Sequence, residues 1–516
     1  MKSSNTSTSN TSTSNTSTSN TSTSNTSTSK STISLNSKFR SSACDDKMSF
    51  QDCELAIVRQ AVDVADNIRK KQVVKDDEIQ KIITILEDFL VKKKLVCYGG
   101  TAINNILPSQ AQFYDRELEI PDYDFYSPDA MDDAIELADI YFKHGYTDVE
   151  AKAGVHHGTY KVFVNFIPIA DITLLHNLLF DKIRSKAIVI HGIHYSPPDF
   201  LRMNMYLELS RPMGDVSRWE KVMKRITLLN KHYPMDPTIQ CDAITFQRDI
   251  KSVRDDGSKI YDITLQNLVK FGVVFFGGYG ASLYSRHMNG NGSITRKTPD
   301  FDVLANEPSK CANLLRENLI YHGFKNVVVR KQEGLHEVIP EHHIVSVNGN
   351  QVAFLYKPIA CHSYNSIRIA GNRIKVATID TILNFYLAFM YTDLPYYNYQ
   401  RLLCMAKYLY DVQIRNRLSQ KGLLRRFSIS CYGKQPTLEE MRAEKAAQHK
   451  KLKNMRDSRE YQSWFLKYTP GELRSSRVKT IKKTTKRNKT QRKRTKTPSI
   501  SSMVRQIINP FSNISL

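Results

Sequence analysis

Two copies of one signature, 178 positions apart, place the strongest constraint on how this chain folds. Gly99-Gly100 is followed by Pro121-Asp122-Tyr123-Asp124, and Gly277-Gly278 by Pro299-Asp300-Phe301-Asp302. In the first copy Leu95 to Tyr98 reads as a short buried strand ending at the glycine pair, and Thr101 to Leu107 as a helix that Pro108 stops. A strand-to-helix turn bare of side chains lets an anion approach backbone N–H groups at the positive end of a helix. On a strand, residues i and i+2 share a face, so Asp122 and Asp124 converge while Tyr123 and Phe125 point to the opposite layer. Adjacent carboxylates repel, and a divalent cation relieves that repulsion. A glycine pair alone is an ordinary turn, and a D-x-D alone a solvated edge. Together, and twice, they predict an ancestral metal-dependent nucleotidyl transfer site in duplicate.

The stretch Tyr160 to Asp171 reads as one strongly apolar strand that delivers Asp171 beside the D-x-D strand. Three carboxylates can hold two Mg²⁺ ions. The competing reading makes Asp171 the N-cap of a helix over Ile172 to Phe180. The duplication extends further: Lys143-His144-Gly145-Tyr146 answers Tyr321-His322-Gly323-Phe324, and Ile188 to Ile193 answers Ile367 to Asn372. Aligning Phe166-Ile-Pro-Ile-Ala-Asp171 with Tyr356-Lys-Pro-Ile-Ala-Cys361 puts a cysteine at the third carboxylate position, and Tyr279 stands where Thr101 stands. The second copy is therefore expected to be silent, with tyrosine bulk where a triphosphate would lie and Asp300 and Asp302 a structural or nucleic-acid-facing remnant. The opposing view completes the second site with Asp380 or another acid. Each unit reads as helix, strand, Gly-Gly, D-x-D strand, helix and apolar strand, followed by further helices, an α+β pattern.

The two ends are not globular in composition. Residues 5 to 29 repeat NTSTS without an apolar side chain, which predicts disorder, and no secretory signal precedes the first globular segment. Thirteen Lys and Arg follow Glu472, the last acidic residue, and supply more than half of the +23 net charge. Such a tail reads as a polyanion-binding arm working by counterion release, with an import signal or a solubilising tail as the bland alternatives. The expected divisions are 1–45 repeat, 46–250 catalytic domain with helical extensions, 251–470 second domain with C-terminal helices, and 471–516 basic tail. Between Cys53 and about Lys94 apolar residues recur at helical spacing, predicting two amphipathic helices. No apolar run approaches the roughly 20 residues of a membrane span. Eight cysteines without a C-x-x-C pair argue against a zinc module or disulfide scaffold and predict free thiols in a reducing compartment.

The segments YGGTAINNILP at Tyr98 to Pro108, PDYDFYSPDA at Pro121 to Ala130, and Arg211 to Arg225 together resemble the poly(A) polymerase catalytic subunits of nucleocytoplasmic large DNA viruses, most of all the mimivirus type. The resemblance covers about Cys53 to Tyr468. It implies two tandem domains of the DNA polymerase beta nucleotidyltransferase fold, the first catalytic. It places triphosphate contact on Gly99, Gly100 and Thr101, and metal binding, by Mg²⁺ or Mn²⁺, on Asp122, Asp124 and Asp171. It further implies ATP as substrate, an RNA 3′ end as acceptor, a homodimer, and a location in the virion and infected cytoplasm. The expected reaction is template-independent AMP addition by two metal ions. A uridylyl- or CCA-adding transferase, or a noncatalytic RNA scaffold, are the alternatives. Arg218, Lys221 and Arg225 share a helical face that turns either to triphosphate or RNA or simply to solvent. Tyr206 and Asn204 are positional candidates for adenine recognition.

Overall fold

The computed structural model describes residues 43–44, 47–74, 76–114, 120–239, 241, 248, 257–288, 298–335 and 338–471. The NTSTS repeat and the tail beyond 471 lie outside the described residues. Residues up to 70 form one unit and residues from 71 onward another. Within the first, a disulfide joins Cys44 to Cys53 at the start of the helix Phe50–Val74. That helix leaves Leu55, Val58, Val62, Val64 and Ile68 more than half exposed, so the expected apolar stripe is present without being buried. The following helix, Asp77–Lys93, does bury its stripe of Ile79, Ile82, Leu86, Phe89 and Leu90. Asp76 caps its N-terminus by accepting the Glu78 N–H.

The larger unit contains two sheets. The strands of the first are β1 (Val96–Tyr98), β2 (Tyr123–Ser127), β3 (Val149–Ala153), β4 (Thr159–Val164), β5 (Ile167–Leu174), β6 (Ile188–Ile190) and β7 (Ile193–Tyr195). Those of the second are β8 (Val274–Phe276), β9 (Phe301–Leu304), β10 (Val327–Gln332), β11 (His342–Val347), β12 (Asn350–Tyr356), β13 (His362–Ile369), β14 (Asn372–Ala377) and β15 (Cys431–Tyr432). A last strand, β16 (Lys467–Tyr468), returns to the first sheet. The spatial orders are β16-β3-β4-β5-β2-β1-β7-β6 and β10-β11-β12-β9-β8-β14-β13-β15. Leaving out β15 and β16, which extend opposite edges, the seven remaining strands follow one another in the same order. The duplication seen in the glycines and aspartates therefore governs a seven-stranded frame in both sheets.

Local chemistry repeats as well. His144 and His322 each bring Nδ1 to a carbonyl four residues back, at 2.8 Å, and each is followed by a glycine of positive φ that ends the helix. The hairpin turns His191-Gly192 and Ala370-Gly371 both adopt left-handed backbone at two successive residues, the signature of a tight two-residue hairpin. The helices that follow them, Pro198–Leu209 and Ile379–Phe389, pack on each other, and the Asn384 amide donates to the Met203 carbonyl at 3.3 Å.

One strand reading needs correction. Tyr160 to Asp171 is not a single strand but the hairpin of β4 and β5, turned at Asn165 and Phe166, whose φ values are 49° and 66°. Asp171 thus sits in mid-strand, not at a strand end. It is no helix cap either, since the next helix begins only at Asn177.

The cysteines also depart from expectation. Besides Cys44–Cys53, disulfides join Cys241 to Cys404 and Cys361 to Cys431, leaving Cys97 and Cys311 free. The sequence separations of 163 and 70 residues explain why spacing gave no sign of them. The fold, not a local motif, brings these partners together. Among the described residues no helix is long and apolar enough to cross a membrane.

Candidate active site

Strand pairing assembles the first site. Tyr98 at the end of β1 lies opposite Asp124 on β2, Asp124 lies opposite Asp171 on the parallel strand β5, and Asp171 lies opposite Lys161 on β4. These four side chains form one row across the sheet face, with Asp122 just before β2 at its solvent edge. The alternate residue Tyr123 points the other way, where its hydroxyl donates to Glu87 on the helix Asp77–Lys93 at 2.5 Å. That bond ties the D-x-D strand to the layer behind it.

The glycine pair supplies the second wall. The helix Gly99–Ile106 starts directly after β1, and Gly99 has a φ of +75°. A Cβ on Gly99 would run into the Asp124 carboxylate, and one on Gly100 would meet the Tyr114 hydroxyl and the Arg225 guanidinium. Glycine is required at the first position by both backbone and space. The Thr101 hydroxyl donates to the Asp122 carbonyl at 2.7 Å, locking the helix start to the D-x-D strand.

Basic groups arrive from the helix Trp219–His232. Arg225 donates to the Tyr114 hydroxyl at 2.5 Å and lies over the Phe113 ring, 5.1 Å from its centroid, which aims the guanidinium at Gly100. Lys221 borders a cavity of about 620 Å³ that it shares with Thr101, Asn105, Tyr114, Asp122 and Tyr195. Arg218 stops one residue short of the helix and pairs with Glu208 at 3.1 Å, although its charge still acts on Asp124. Of the three basic candidates, Lys221 and Arg225 face the site and Arg218 is held at its margin. The two adenine candidates are placed otherwise. Tyr206 is fully buried in the core, and Asn204 donates to the Tyr126 hydroxyl at 3.1 Å.

The electrostatics match a site that wants positive charge. Burial, followed by Asp122 and Asp171, pushes the Asp124 carboxyl up to about 7, against the pull of Lys161 and Arg218. Partial burial and Asp171 also lift Asp122, opposed by Lys161 and Lys221. Lys161, a residue the motif reading overlooked, forms an ion pair with Asp171. Its signal was the alternation along β4, Thr159-Tyr-Lys161, which brings a cation to the carboxylate face. Among the described residues no three acidic, histidine or cysteine side chains converge closely enough to hold an ion as they stand. The donor chemistry nevertheless fits a hard divalent cation: three carboxylates on neighbouring positions, each oxygen-only, two of them made weaker acids by burial and by their neighbours' charge.

The second sheet repeats the frame and changes its contents. Phe276 lies opposite Asp302 as Tyr98 does Asp124, and a Cβ on Gly277 would strike Asp302. The partner of Asp302 on the next parallel strand is Phe354, so Phe354, not Cys361, is the counterpart of Asp171. The shared Pro-Ile-Ala misled the alignment because Pro358 to Cys361 lies in the loop after β12, where the second copy has no equivalent of the helix Asn177–Ser185. The third carboxylate is missing as expected, but from a different position. Tyr279 turns its ring into the core among Phe275, Phe301 and Tyr261, so its bulk does not obstruct the site. Asp380 is taken by Arg426 at 2.8 Å and does not complete a second carboxylate set. Instead Arg248 occupies Asp300 and Asp302.

Residues 84–215, which hold every element of the first site except Lys221 and Arg225, match the sequence profile of a single family. That family is the poly(A) polymerase catalytic subunit. A protein assigned as a poly(A) polymerase catalytic subunit in African swine fever virus (isolate Tick/Malawi/Lil 20-1/1983) is 31% identical over 201 residues, 37% of this chain and 42% of the relative. One so assigned in Acanthamoeba polyphaga mimivirus is 35% identical over 164 residues, 31% of this chain and 27% of the relative. The matched stretches thus span less than half the length of these poly(A) polymerase relatives. The crystal structure of the Megavirus polyadenylate synthase superposes with a TM-score of 0.69 at 21% identity, covering 87% of this chain and 93% of that one. That structure and this chain therefore share a fold.

Proposed function

We propose that this chain is a poly(A) polymerase that adds AMP from ATP to the 3′ end of RNA, built as two tandem nucleotidyltransferase-like domains of which the first is catalytic. The observation that carries the reading is the register of Asp124 against Asp171 with Asp122 beside them, facing a glycine-paired helix start. In the reaction the acceptor 3′ hydroxyl gives its proton to water as its oxygen bonds to the α-phosphorus of ATP, the bond from that phosphorus to the bridging oxygen breaks, and diphosphate leaves with that electron pair. The backbone N–H groups at Gly100 and Thr101 and the guanidinium of Arg225 bind the triphosphate, and Lys221 lies where it balances charge at the same edge. Asp122, Asp124 and Asp171 would hold two divalent ions, Mg²⁺ or Mn²⁺, which when bound supply charge neutralisation at the phosphates and a more acidic acceptor hydroxyl. Release of Asp171 from Lys161 frees it for that role.

With this function go an RNA partner, a homodimer, a basic tail on nucleic acid, and action in infected cytoplasm and virion. Primer extension by the purified chain with each of the four nucleoside triphosphates tests the activity. Selective ATP use that is lost in Asp122→Ala and kept in Asp300→Ala is the expected result. Strong use of UTP or CTP would move the chain to another terminal transferase, and no metal-dependent extension at all would make it a binding protein.

A further inference from the structure

The carboxylates of the second sheet are deeply buried, Asp300 at 1% and Asp302 at 6% exposure, and burial of paired negative charge demands a compensating cation. The chain supplies its own. Arg248 donates its backbone N–H to Asp300 Oδ2 and its Nε to Asp300 Oδ1, both at 2.7 Å, and a terminal nitrogen to Asp302 Oδ1 at 2.9 Å. The guanidinium carbon lies over the Phe354 ring, 3.9 Å from its centroid. Phe354 is the residue that stands where the first sheet has Asp171. We propose that the second D-x-D has become a guanidinium socket, a site that selects a planar organic monocation, is filled here by Arg248, and no longer takes a divalent metal ion.

Three observations separate this from a metal site that merely lost an acid. First, the position changed from an oxygen ligand to a ring, which gives a hard divalent ion nothing but gives a delocalised planar cation a face to stack on. Second, the surrounding wall is aromatic: Tyr396 packs on Phe354 with ring centroids 5.0 Å apart, and the Tyr356 hydroxyl donates to Asp302 Oδ1 at 3.5 Å while lying 2.5 Å from that of Tyr397. Third, Arg401 also acts on both carboxylates. Two carboxylates against two guanidiniums balance, so withdrawing Arg248 leaves a single negative charge. One monovalent cation restores neutrality there, whereas a divalent ion overshoots it. Lysine would satisfy the charge but neither the fork geometry at Asp300 nor the stacking.

The test uses the full chain with Arg248→Ala and Arg248→Lys, and low-millimolar guanidinium chloride as the probe, with sodium chloride at equal ionic strength as control. Thermal unfolding is the readout, and primer extension at the first site checks that each variant is folded. Arg248→Ala should melt several degrees below wild type, and guanidinium should raise its midpoint while leaving wild type unchanged or slightly lower. Arg248→Ala/Asp302→Asn should lose the response. Mn²⁺ titration followed by electron paramagnetic resonance should give the wild-type stoichiometry in Arg248→Ala. A folded Arg248→Ala indifferent to guanidinium, or one that binds an additional Mn²⁺, overturns the proposal. Should Arg248→Ala fail to fold, Arg248→Lys decides: a midpoint equal to wild type would show that any cation suffices, and a lower one upholds the socket.

Discussion

Replacing Asp124 with asparagine should stabilise the ion-free protein at neutral pH while abolishing nucleotidyl transfer. Burial and the charges of Asp122 and Asp171 carry the Asp124 carboxyl from 3.8 up to about 7. Between those values the folded protein keeps a proton that the unfolded chain has already released. Stability therefore falls as pH rises through this window, and the whole penalty is present above it. About three decades of acidity, at about 1.4 kcal/mol each, put that penalty at about 4 kcal/mol. Asparagine keeps the shape and removes the charge. In EDTA, Asp124→Asn should exceed wild type by up to about 4 kcal/mol at pH 8, and the advantage should shrink toward zero by pH 4, measured by urea unfolding across the range. Saturating Mg²⁺ should raise wild type and leave the variant nearly unmoved, because only the charged set binds the ion. Equal stability at pH 8, or an advantage that persists undiminished at pH 4, would refute the view that the fold holds these carboxylates together against their charge.

Gly99→Ala forces a side chain into left-handed backbone and its Cβ into Asp124, so a loss of at least about 1 to 2 kcal/mol in stability and a steep drop in transfer rate are expected in unfolding and primer-extension assays. Lys161→Met removes the ion pair that a metal must displace at Asp171; since such partly exposed pairs contribute up to about 1 kcal/mol, Mn²⁺ should bind a few-fold more tightly by paramagnetic titration, and weaker binding would mean that Lys161 assists the ion. Alkylation of the unfolded, unreduced protein should label Cys97 and Cys311 alone, and all eight cysteines only after reduction. A mass corresponding to eight labels without reductant would return the chain to free thiols.

What the sequence made legible is what local chemistry dictates. Gly99, Gly100, Asp122 and Asp124 are recognisable because a bare strand-to-helix turn and alternation on a strand are local properties, and the structure brings them together as their spacing requires. Asp171 was found as a residue but misplaced as a strand end, because the turn at Asn165 and Phe166 carries no glycine to announce it. Lys161 and Arg248 went unseen, since each finds its carboxylate across the sheet or from a separate segment of chain, and no short pattern records that.

The identity of the third residue in the second copy shows where sequence similarity and structural equivalence part. The two copies stay in step at an offset of 178 through the D-x-D strands, yet the hairpin turns that follow, Asn165-Phe166 and Asn348-Gly349, are offset by 183, and the next pair, His191-Gly192 and Ala370-Gly371, by 179. Loops before and after the hairpin have lengthened and shortened while the pairing of β5 with β2 and of β12 with β9 stayed fixed. Backbone hydrogen bonds fix which residue faces Asp302, and a one-residue slip would turn every side chain of the strand to the other face. Selection on that facing position therefore acts through register, not through neighbouring residues. A carboxylate at this register position in the first sheet is answered by a phenyl in the second, which offers no oxygen ligand but presents a ring face to the guanidinium that Arg248 brings from a part of the chain that shares no motif with either copy.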